Sequence, residues 1–408
     1  MHVCVLGAGI VGLATAYELQ RQGLQVTVLD RAAPGSGASG GNGGQLSYSY
    51  VQPLADAGIW AQLPALLLSP RSPLKLRPQW DLQQWRWGLE FLQACNGRTS
   101  RRTTQALLAL AAHSRAGFER MLAAEILACD FSRTGKLVLY ATPQGLAAAQ
   151  RQLDLQRGWG SVQEAVSPQR CVELEPALGR YARHIAGAIH TPSECAADCQ
   201  QVCEGLHARL AARGVRFAPP QALRGLEKRG GRIVAARTAA GSIEADSFVL
   251  ALGSGSAAMA RGIGLRLPVY PLKGYSITVD APVGAQWAPQ VSITDAARKV
   301  VFARLGNRLR VAGMAELVGD DARVPPARIA ILRAAVRDVL GHAVPEDAEV
   351  RPWTGMRPAT PTGLPLYGRH ASGPDNLWLN TGHGALGFTL AFGTAQAVAT
   401  GIADAARG

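Results

Sequence analysis

Residues 1–30, MHVCVLGAGIVGLATAYELQRQGLQVTVLD, decide the fold of this chain. Val3–Leu6 is an unbroken apolar run with β-branched members, which is typical of a strand buried on both faces. It leads into GAGIVG at Gly7–Gly12, and a helical pattern of apolar residues follows over Val11–Gln22. A glycine then stands where a helix C-cap belongs, before a second apolar run at Gln25–Leu29. This order predicts a strand–helix–strand unit of the Rossmann type.

The glycines of this unit have separate mechanical roles. In the G-x-G-x-x-G pattern, Gly7 makes the tight turn, Gly9 lets a pyrophosphate approach the backbone, and Gly12 lets helix and sheet pack closely. The helix N-terminus offers free N–H groups and a partial positive charge to phosphates. Asp30 follows Gly7 by 23 residues, which places it to accept hydrogen bonds from a ribose. An ordinary tight turn needs neither the three glycines nor the acid, so the sequence predicts a dinucleotide site.

Composition narrows the class of protein. The chain has 408 residues, of which 48% are hydrophobic, and this is enough for about two domains with their own cores. Its net charge is +13, but the basic residues are scattered rather than run together, so we expect no nucleic-acid partner. No basic and apolar leader precedes Val3, and no run of about twenty apolar residues predicts a membrane span.

The cysteines favour a reducing compartment. Seven cysteines, an odd number in a long chain, indicate a cytoplasmic protein rather than a disulfide framework. Cys195, Cys199 and Cys203 follow one another at four-residue steps on one predicted helical face. No histidine supports them as ligands, so we expect buried small side chains and no metal site.

A glycine-rich loop follows the second strand. Pro34–Gly44, PGSGASGGNGG, starts at the strand edge where the phosphates are expected. A flexible linker is the alternative, but this position favours a loop that runs along an extended cofactor. Tyr48 and Tyr50 come next and are expected near the entrance of the site, unless they are half-buried strand residues.

The segment Pro78–Asn96 predicts an unusual helix with two apolar sides. Asp81 and Gln84 have the spacing of a capping box at its start. One stripe consists of Leu82, Trp85, Leu89 and Leu92, and the opposite side carries Trp80, Trp87 and Phe91. One side must face the core, and the other needs a cover: a loop of this chain, a partner subunit or a membrane surface, among which burial inside the protein is favoured. The hypothesis for a membrane contact is an outward surface formed by Trp80, Trp87 and Phe91. Basic residues that suit anionic headgroups flank the segment: Arg71, Lys75, Arg77, Arg98, Arg101 and Arg102.

The rest of the chain alternates between two kinds of pattern. Apolar strands at Phe248–Leu252 and Leu377–Leu379 predict returns to the first sheet, whereas alternating residues from Pro271 to Ala312 predict an antiparallel sheet. Trp353–Gly363 is rich in proline and is predicted as a loop, and Gly382–Gly387 opens the final helix. These returns divide the chain into a dinucleotide-binding domain of residues 1–45, 191–265 and 351–408 and a substrate-binding domain of residues 46–190 and 266–350.

Several motifs together resemble one family. They are GAGIVG at Gly7–Gly12, SGGNGGQ at Ser39–Gln45, YPLKGYS at Tyr270–Ser276, RVAGMAELVG at Arg310–Gly319, WTGMRPATPTG at Trp353–Gly363 and LWLNTGHGALGFT at Leu377–Thr389. Over nearly its full length the chain is similar to the D-amino acid dehydrogenase small subunits, within the D-amino acid oxidase-like family of FAD-dependent oxidoreductases. The resemblance implies an α/β fold, with a Rossmann-like FAD-binding domain and a discontinuous antiparallel-sheet substrate domain of the α+β type.

The resemblance also implies where FAD binds. The expected cofactor residues are Gly7, Gly9, Ile10, Val11, Gly12, Asp30, Arg31, Ser39, Asn42, Gly43, Gly44, Gln45, Gly253, Gly382, His383, Gly384, Leu386, Gly387 and Thr389. The N-terminus of the final helix suits the negative charge that reduced flavin gathers on its pyrimidine ring. His383 is interpreted as a hydrogen-bonding group near the cofactor in preference to a catalytic base.

The substrate is expected to be held by its carboxylate. Arg357 matches the position where related oxidases place a carboxylate-binding arginine, and a bidentate pair would fix the substrate's distance and tilt. Tyr275 and Tyr50 are expected as hydroxyl donors to the same carboxylate or as pocket walls, and Lys273 as a further contact or a strand-end charge. The implied reaction takes hydride from the α-carbon of a D-amino acid to FAD, and the imino acid then hydrolyses to an α-keto acid and ammonia. A quinone or the respiratory chain is the expected electron acceptor, which implies a protein of the cytoplasm or of the inner face of the cell membrane.

Three alternatives stay open at this point. A secondary amine acid such as D-proline, hydroxyproline or sarcosine could be the substrate of the same flavin site. The chain could instead be a basic protein that binds RNA or a partner and keeps FAD as a structural group. An NAD dehydrogenase would share the first thirty residues, but it would not explain a second cofactor contact at Gly382–Gly387.

Overall fold

The computed structural model describes residues 1–60, 74–342 and 350–407. Within these residues one sheet carries the N-terminal unit. Its strands are β1 (His2–Leu6), β2 (Gln25–Leu29), β9 (Arg216–Phe217), β13 (Ser247–Leu250), β19 (Leu366–Arg369) and β20 (Leu377–Thr381). Their order is β19-β20-β13-β1-β2-β9, and every neighbouring pair is parallel except β19 and β20.

The predicted strand–helix–strand unit is confirmed to within a residue. Helix α1 (Ile10–Arg21) connects β1 to its parallel neighbour β2. Gly7 has φ 119°, and a Cβ atom there would lie 2.3 Å from the carbonyl oxygen of Ala251. A Cβ atom on Gly12 would lie 1.9 Å from the carbonyl oxygen of Gly7. Strand, turn and helix therefore meet backbone to backbone, which only glycine permits.

The second large sheet is mainly antiparallel, as predicted. Its strands are β4 (Leu74–Leu76), β5 (Lys136–Tyr140), β6 (Glu164–Val166), β7 (Gly187–Thr191), β14 (Tyr270–Asp280), β15 (Ser292–Asp295), β16 (Val300–Leu305), β17 (Arg308–Leu317) and β18 (Arg351–Ala359). In the described part of the chain their order is β18-β14-β17-β16-β15-β5-β7-β6, with β4 beside β17. Parallel pairing is confined to β15 with β5 and β17 with β4.

The proline-rich segment predicted as a loop is a strand, and that prediction was wrong. Residues 351–359 form β18, which pairs with β14 from Tyr270 opposite Ala359 to Thr278 opposite Arg351. Proline lacks an N–H group, but β18 is the terminal strand in the order of this sheet, where one row of backbone groups needs no partner. Residues 351–359 therefore belong with the second sheet rather than with the dinucleotide-binding domain.

The remaining elements are two small sheets and the other helices. β3 (Gln45–Leu46) pairs with β8 (Cys195–Ala196), and β10 (Gly225–Arg229), β11 (Arg232–Thr238) and β12 (Gly241–Glu244) form a meander. The helices are α2 (Leu82–Ala94), α3 (Gly97–Glu125), α4 (Pro143–Arg157), α5 (Pro168–Leu174), α6 (Cys199–Ala212), α7 (Ser256–Arg261), α8 (Pro326–Leu340) and α9 (Gly387–Arg407). Cys195 lies on β8 rather than on α6, so only Cys199 and Cys203 share a helical face, and all three are buried.

Helix α3 packs in the core of the first sheet. Phe118 of α3 contacts Phe388 and Phe392 of α9, and α9 in turn packs on α1. This helix thus packs with the first sheet, although residues 46–190 were assigned to the substrate-binding domain. Residues 384–407 have the length and hydropathy of a membrane span, but most of that segment is buried, as in a core helix.

Helix α2 presents one of its two apolar sides to the protein. Trp87 is buried, donates its indole N–H to the carbonyl of Ala359 at 2.9 Å, and stacks on Phe91. The other stripe is open, since Leu82 is 64% exposed and Leu89 is 62% exposed. The hypothesis that Trp80, Trp87 and Phe91 together form an outward surface is therefore wrong.

The start of α2 differs from a capping box. Asp81 caps the helix by accepting the N–H of Gln83 at 2.9 Å, as expected. The side chain of Gln84 instead accepts the N–H of Gln79 and donates to the carbonyl of Arg77. The glutamine thus anchors the segment that precedes the helix.

Candidate active site

The carboxyl ends of the parallel strands meet at one edge of the first sheet, where α1 begins. The N–H of Ile10 donates to the hydroxyl of Ser39 at 3.0 Å. The N–H groups of Val11 and Gly12 have no acceptor among the described residues. Free N–H groups at a helix N-terminus bind phosphate oxygens, and Ser39 lies beside them.

Asp30 lies at the same turn. Its Oδ2 accepts the N–H of Ala8 at 2.6 Å, and its Oδ1 accepts the N–H of Ala32 at 3.1 Å. A carboxylate has about four lone-pair sites, so capacity remains for ribose hydroxyls. The next residue, Arg31, which was also predicted to contact the cofactor, is exposed.

The glycine-rich loop connects the two large sheets. Gly41 lies against the ring of Trp353, and a Cβ atom on Gly41 would approach that ring to 2.1 Å. The carbonyl of Asn42 accepts a hydrogen bond from Nη1 of Arg310 at 2.7 Å, and Nε of Arg310 donates to the hydroxyl of Thr278. Arg310 is buried on β17, and sequence reasoning missed it because only tertiary pairing brings β17 to this loop.

Gly43 of the loop and Gln45, at the start of β3, both lie close against the second sheet. A Cβ atom on Gly43 would lie 2.9 Å from a methyl group of Val301. The side-chain amide of Gln45 donates to the carbonyls of Ile293 and Phe302, at 3.1 Å each. The Gln45 side chain, predicted as a cofactor contact, is therefore engaged with β15 and β16.

The start of the final helix forms the other cofactor segment. Gly382 has φ 79° and Gly384 has φ 56°, both in the left-handed region that favours glycine. A Cβ atom on Gly384 would meet nothing within 4 Å, so the backbone there is open to a ligand. The hydroxyl of Thr381 donates to the carbonyl of Gly253 at 3.1 Å, which brings the β13 turn to the same place.

His383 acts within the fold rather than as a base. It is buried, and its Nε2 lies 3.0 Å from the hydroxyl of Thr394. Burial lowers the pKa of His383 to about 3, so the ring is neutral at physiological pH. Thr389, one turn into α9, accepts the N–H of Ser47 at 3.2 Å and so ties the helix to the segment after the glycine-rich loop.

Arg357 lies on the face of the second sheet that carries this loop. It shares that face of β18 with Trp353, and its guanidinium lies flat on Gly274 of β14. Its Nη1 donates to the carbonyl of Met314 at 2.7 Å, and no carboxylate pairs with it among the described residues. Burial lowers the pKa of Arg357 to about 10, yet part of its surface stays open. A half-buried cation with most of its donors unused is suited to bind an anion from outside the chain.

The strand that carries Arg357 leads directly to the cofactor segments. Ala359, two residues further on, forms an antiparallel bridge with His383. β18 also packs on the turns Gly253–Gly255 and Gly384–Leu386. β18 thereby connects Arg357 directly to the cofactor segments.

Tyr275, one of the two tyrosines predicted to assist Arg357, does not lie beside it. Tyr275 points to the opposite face of β14, where it is 1% exposed and donates its hydroxyl to Glu316 at 2.7 Å. Tyr50 lies under Lys136, whose Nζ is 4.4 Å from the ring centroid. Lys273 shares the face of Tyr275 and donates to the carbonyl of Arg323. The pairing of β14 decides where Tyr275 and Lys273 point, because successive residues of a strand face opposite sides.

Comparison with known proteins identifies the family. A family model described as FAD dependent oxidoreductase matches residues 2–400. The chain belongs to this family. The predicted FAD cofactor is therefore confirmed at the level of the family, and the residues at both cofactor segments fit it.

Curated relatives of this FAD-dependent oxidoreductase cover nearly its whole length. It is 47% identical over 417 residues to D-amino acid dehydrogenase 2 of Ralstonia nicotianae, covering 99% of this chain and 96% of the relative. It is also 47% identical to D-amino acid dehydrogenase 2 of Pseudomonas aeruginosa, covering 98% of this chain and 94% of the relative.

Solved structures confirm the fold. Glycine oxidase of Geobacillus kaustophilus has a TM-score of 0.76 at 21% identity, covering 99% of this chain and 94% of that one. L-proline dehydrogenase of P. horikoshii has a TM-score of 0.75 at 16% identity, covering 99% and 93%. At such identities the likeness bears on architecture alone.

Proposed function

We propose that this FAD-dependent oxidoreductase oxidises D-amino acids to imino acids, which water converts to α-keto acids and ammonia. The observation that carries the proposal is Arg357, a half-buried guanidinium without a carboxylate partner among the described residues, on the strand that reaches the cofactor segments. The names of the relatives at 47% identity support a D-amino acid as the substrate class.

The chain's own groups have distinct parts in this reaction. Arg357 binds the substrate carboxylate through paired N–H donors, while the Met314 carbonyl holds Nη1. This grip fixes the direction of the α-carbon–hydrogen bond. FAD, when bound, supplies the hydride acceptor. Burial keeps His383 neutral and engaged with Thr394, so this residue is a poor base for the proton of the substrate amine.

The decisive experiment is anaerobic reduction of the purified flavoprotein. D-amino acids are expected to bleach the flavin absorption, whereas L-amino acids are not. D-proline, hydroxyproline and sarcosine belong in the same series because they test the secondary-amine alternative. Bleaching by these compounds alone, or by none of the D-amino acids, would contradict the proposal.

We further infer that the electrons leave towards a quinone at an anionic membrane surface. The open side of α2 carries Leu82, Leu89 and Trp85, of which Trp85 is 52% exposed, and Trp80 beside it is fully exposed. Exposed Lys75 and Arg77 precede the helix in the chain and exposed Arg86 lies on it, and their charge complements anionic headgroups.

The inner side of the same helix reaches the active-site strand. Trp87 bonds to the carbonyl of Ala359, two residues beyond Arg357. A helix is about 10–12 Å across with its side chains, so the open side of α2 is one helix diameter from that strand. This short distance supports α2 as the side on which an acceptor docks.

Vesicle flotation tests this surface. The double variant Leu82→Ser with Leu89→Ser is expected to lose binding to phosphatidylglycerol vesicles, and salt should weaken binding of the unaltered protein. The control Val162→Ser with Val283→Ser removes residues that are 75% and 86% exposed elsewhere. Equal flotation of both double variants, or loss of a dimer rather than of vesicle binding, would contradict membrane docking.

A further inference from the structure

A bulge in β17 lies next to the Arg357 guanidinium. Tyr275 pairs with Gly313 and Lys273 pairs with Glu316, so two steps along β14 match three along β17. Met314, inside the bulge, has φ 64°, a conformation that residues other than glycine rarely adopt. In a regular ladder a carbonyl points to the neighbouring strand, whereas the Met314 carbonyl accepts Nη1 of Arg357 at 2.7 Å.

The residue that closes the bulge is Glu316, whose side chain carries a buried carboxylate on the other face of the sheet. Glu316 is 5% exposed, and its Oε2 accepts the hydroxyl of Tyr275 at 2.7 Å. Its Oε1 lies 2.5 Å from Nη2 of Arg328 on α8, which is itself buried. Glu316 is thus tied to both β14 and α8, so the bulged strand has a fixed register at this point.

We propose that Tyr275, Glu316 and Arg328 form a positioning network for substrate binding. The network holds the β17 bulge, the bulge aims the Met314 carbonyl, and that carbonyl sets the orientation of Arg357. None of the three network residues touches the substrate. A strained backbone conformation persists only where surrounding contacts stabilise it. Here the buried Glu316–Arg328 ion pair and the Tyr275 hydroxyl supply those contacts. The inference rests on the proposed function, because its readout is the binding of an amino-acid carboxylate.

The variant Tyr275→Phe tests the network in the FAD-loaded enzyme. Phenylalanine keeps the ring in the core but removes the donor to Glu316. Propionate, a carboxylate without an amino group, is the probe for carboxylate binding alone. We expect KM for D-alanine and the Kd of propionate to rise about fivefold to tenfold, the effect of losing one buried hydrogen bond. The kcat at saturating D-alanine should stay within about twofold, since Arg357 still orients a bound substrate.

Tyr181→Phe is the matched control. Tyr181 lies in the same apolar cluster, is 4% exposed, and donates its hydroxyl to Asp295 at 2.7 Å. It makes no contact with the bulge among the described residues, so KM and the propionate Kd should not change. A purely structural role for Tyr275 predicts that both variants lose stability alike and that neither weakens carboxylate binding selectively.

A second variant keeps the proposal testable if Tyr275→Phe does not fold. Glu316→Gln retains an acceptor for Tyr275 but removes the charge that faces Arg328, and the same selective rise in KM and Kd is expected. Unchanged propionate affinity in a folded variant, or an equal loss in kcat, overturns the network. If the unaltered enzyme is not reduced by any D-amino acid, the proposed function fails instead, while the propionate Kd still reports on the network.

Discussion

Replacing Arg357 with methionine should separate the activity of this enzyme from its stability. The substitution keeps a long, flexible side chain on β18 but removes the guanidinium that lies on Gly274 and donates to the Met314 carbonyl. Truncating one partner of a buried, hydrogen-bonded charge pair costs roughly 2–5 kcal/mol of binding. We therefore expect kcat/KM for D-alanine to fall about thirtyfold to several thousandfold.

The same change should stabilise the free protein. Burial lowers the pKa of Arg357 to about 10, and a tenfold change in a protonation equilibrium is worth about 1.4 kcal/mol. The charged guanidinium therefore costs the unliganded fold up to about 3 kcal/mol at neutral pH. Loss of the hydrogen bond to the Met314 carbonyl reduces the expected gain in stability by about 1 kcal/mol. The exposed part of the Arg357 side chain reduces that gain further, because solvent screens the charge. A rise in Tm of roughly 1–4 °C remains.

Steady-state kinetics and calorimetry on the FAD-loaded enzyme check both numbers. Arg351→Met is the control, because Arg351 lies on the same strand with 59% of its side chain exposed. This control should change neither kcat/KM nor Tm appreciably. A lower Tm in Arg357→Met, or a loss of kcat/KM below about tenfold, would refute the assignment of Arg357 as an unpaired anion-binding group.

Three other outcomes follow from the same structure. Gly12→Ala should lower the FAD content of the purified protein, because the alanine methyl group would lie 1.9 Å from the Gly7 carbonyl oxygen. Gly37→Ala is the control and should leave the FAD content unchanged, because a Cβ atom there meets nothing within 4 Å. Burial lowers the pKa of Lys136 to about 8, so the charged lysine destabilises the fold below that pH, and the penalty fades as pH rises above it. Lys136→Met should therefore raise Tm at pH 7 and raise it less near pH 10, as followed by calorimetry across pH. The Kd of propionate should increase as pH approaches about 10, where Arg357 loses its charge; a flat profile in a titration of flavin absorbance would contradict this.

Local patterns were sufficient for the dinucleotide-binding unit. The apolar runs, the three glycines and Asp30 act within about thirty neighbouring residues, and the observed strands and helix lie within a residue of the predicted ones. The opening of the final helix follows the same logic, because Gly382 and Gly384 have the positive φ angles that only glycine adopts freely. Such features depend on short-range sterics, which a sequence displays directly.

Other features were decided by partners far away in the chain. Helix α2 has two apolar sides, and only its packing on the end of β18 settles that Trp87 is the buried one. Residues 351–359 look like a loop because of their prolines, but β14, some eighty residues earlier, pairs with them as an edge strand. Arg310 carried no local signal, since its role depends on the pairing that brings β17 under the glycine-rich loop.

Tyr275 and Arg357 show where the division lies. The amino-acid sequence by itself determined the cofactor-binding unit through residue chemistry and short spacings, and its resemblance to a known family supplied the class of reaction and the arginine expected at the carboxylate. Only the tertiary structure decided which residues stand beside that arginine. A side chain faces one side of a sheet or the other according to strand register, and the register of β14 with β18 is set by contacts across the whole sheet.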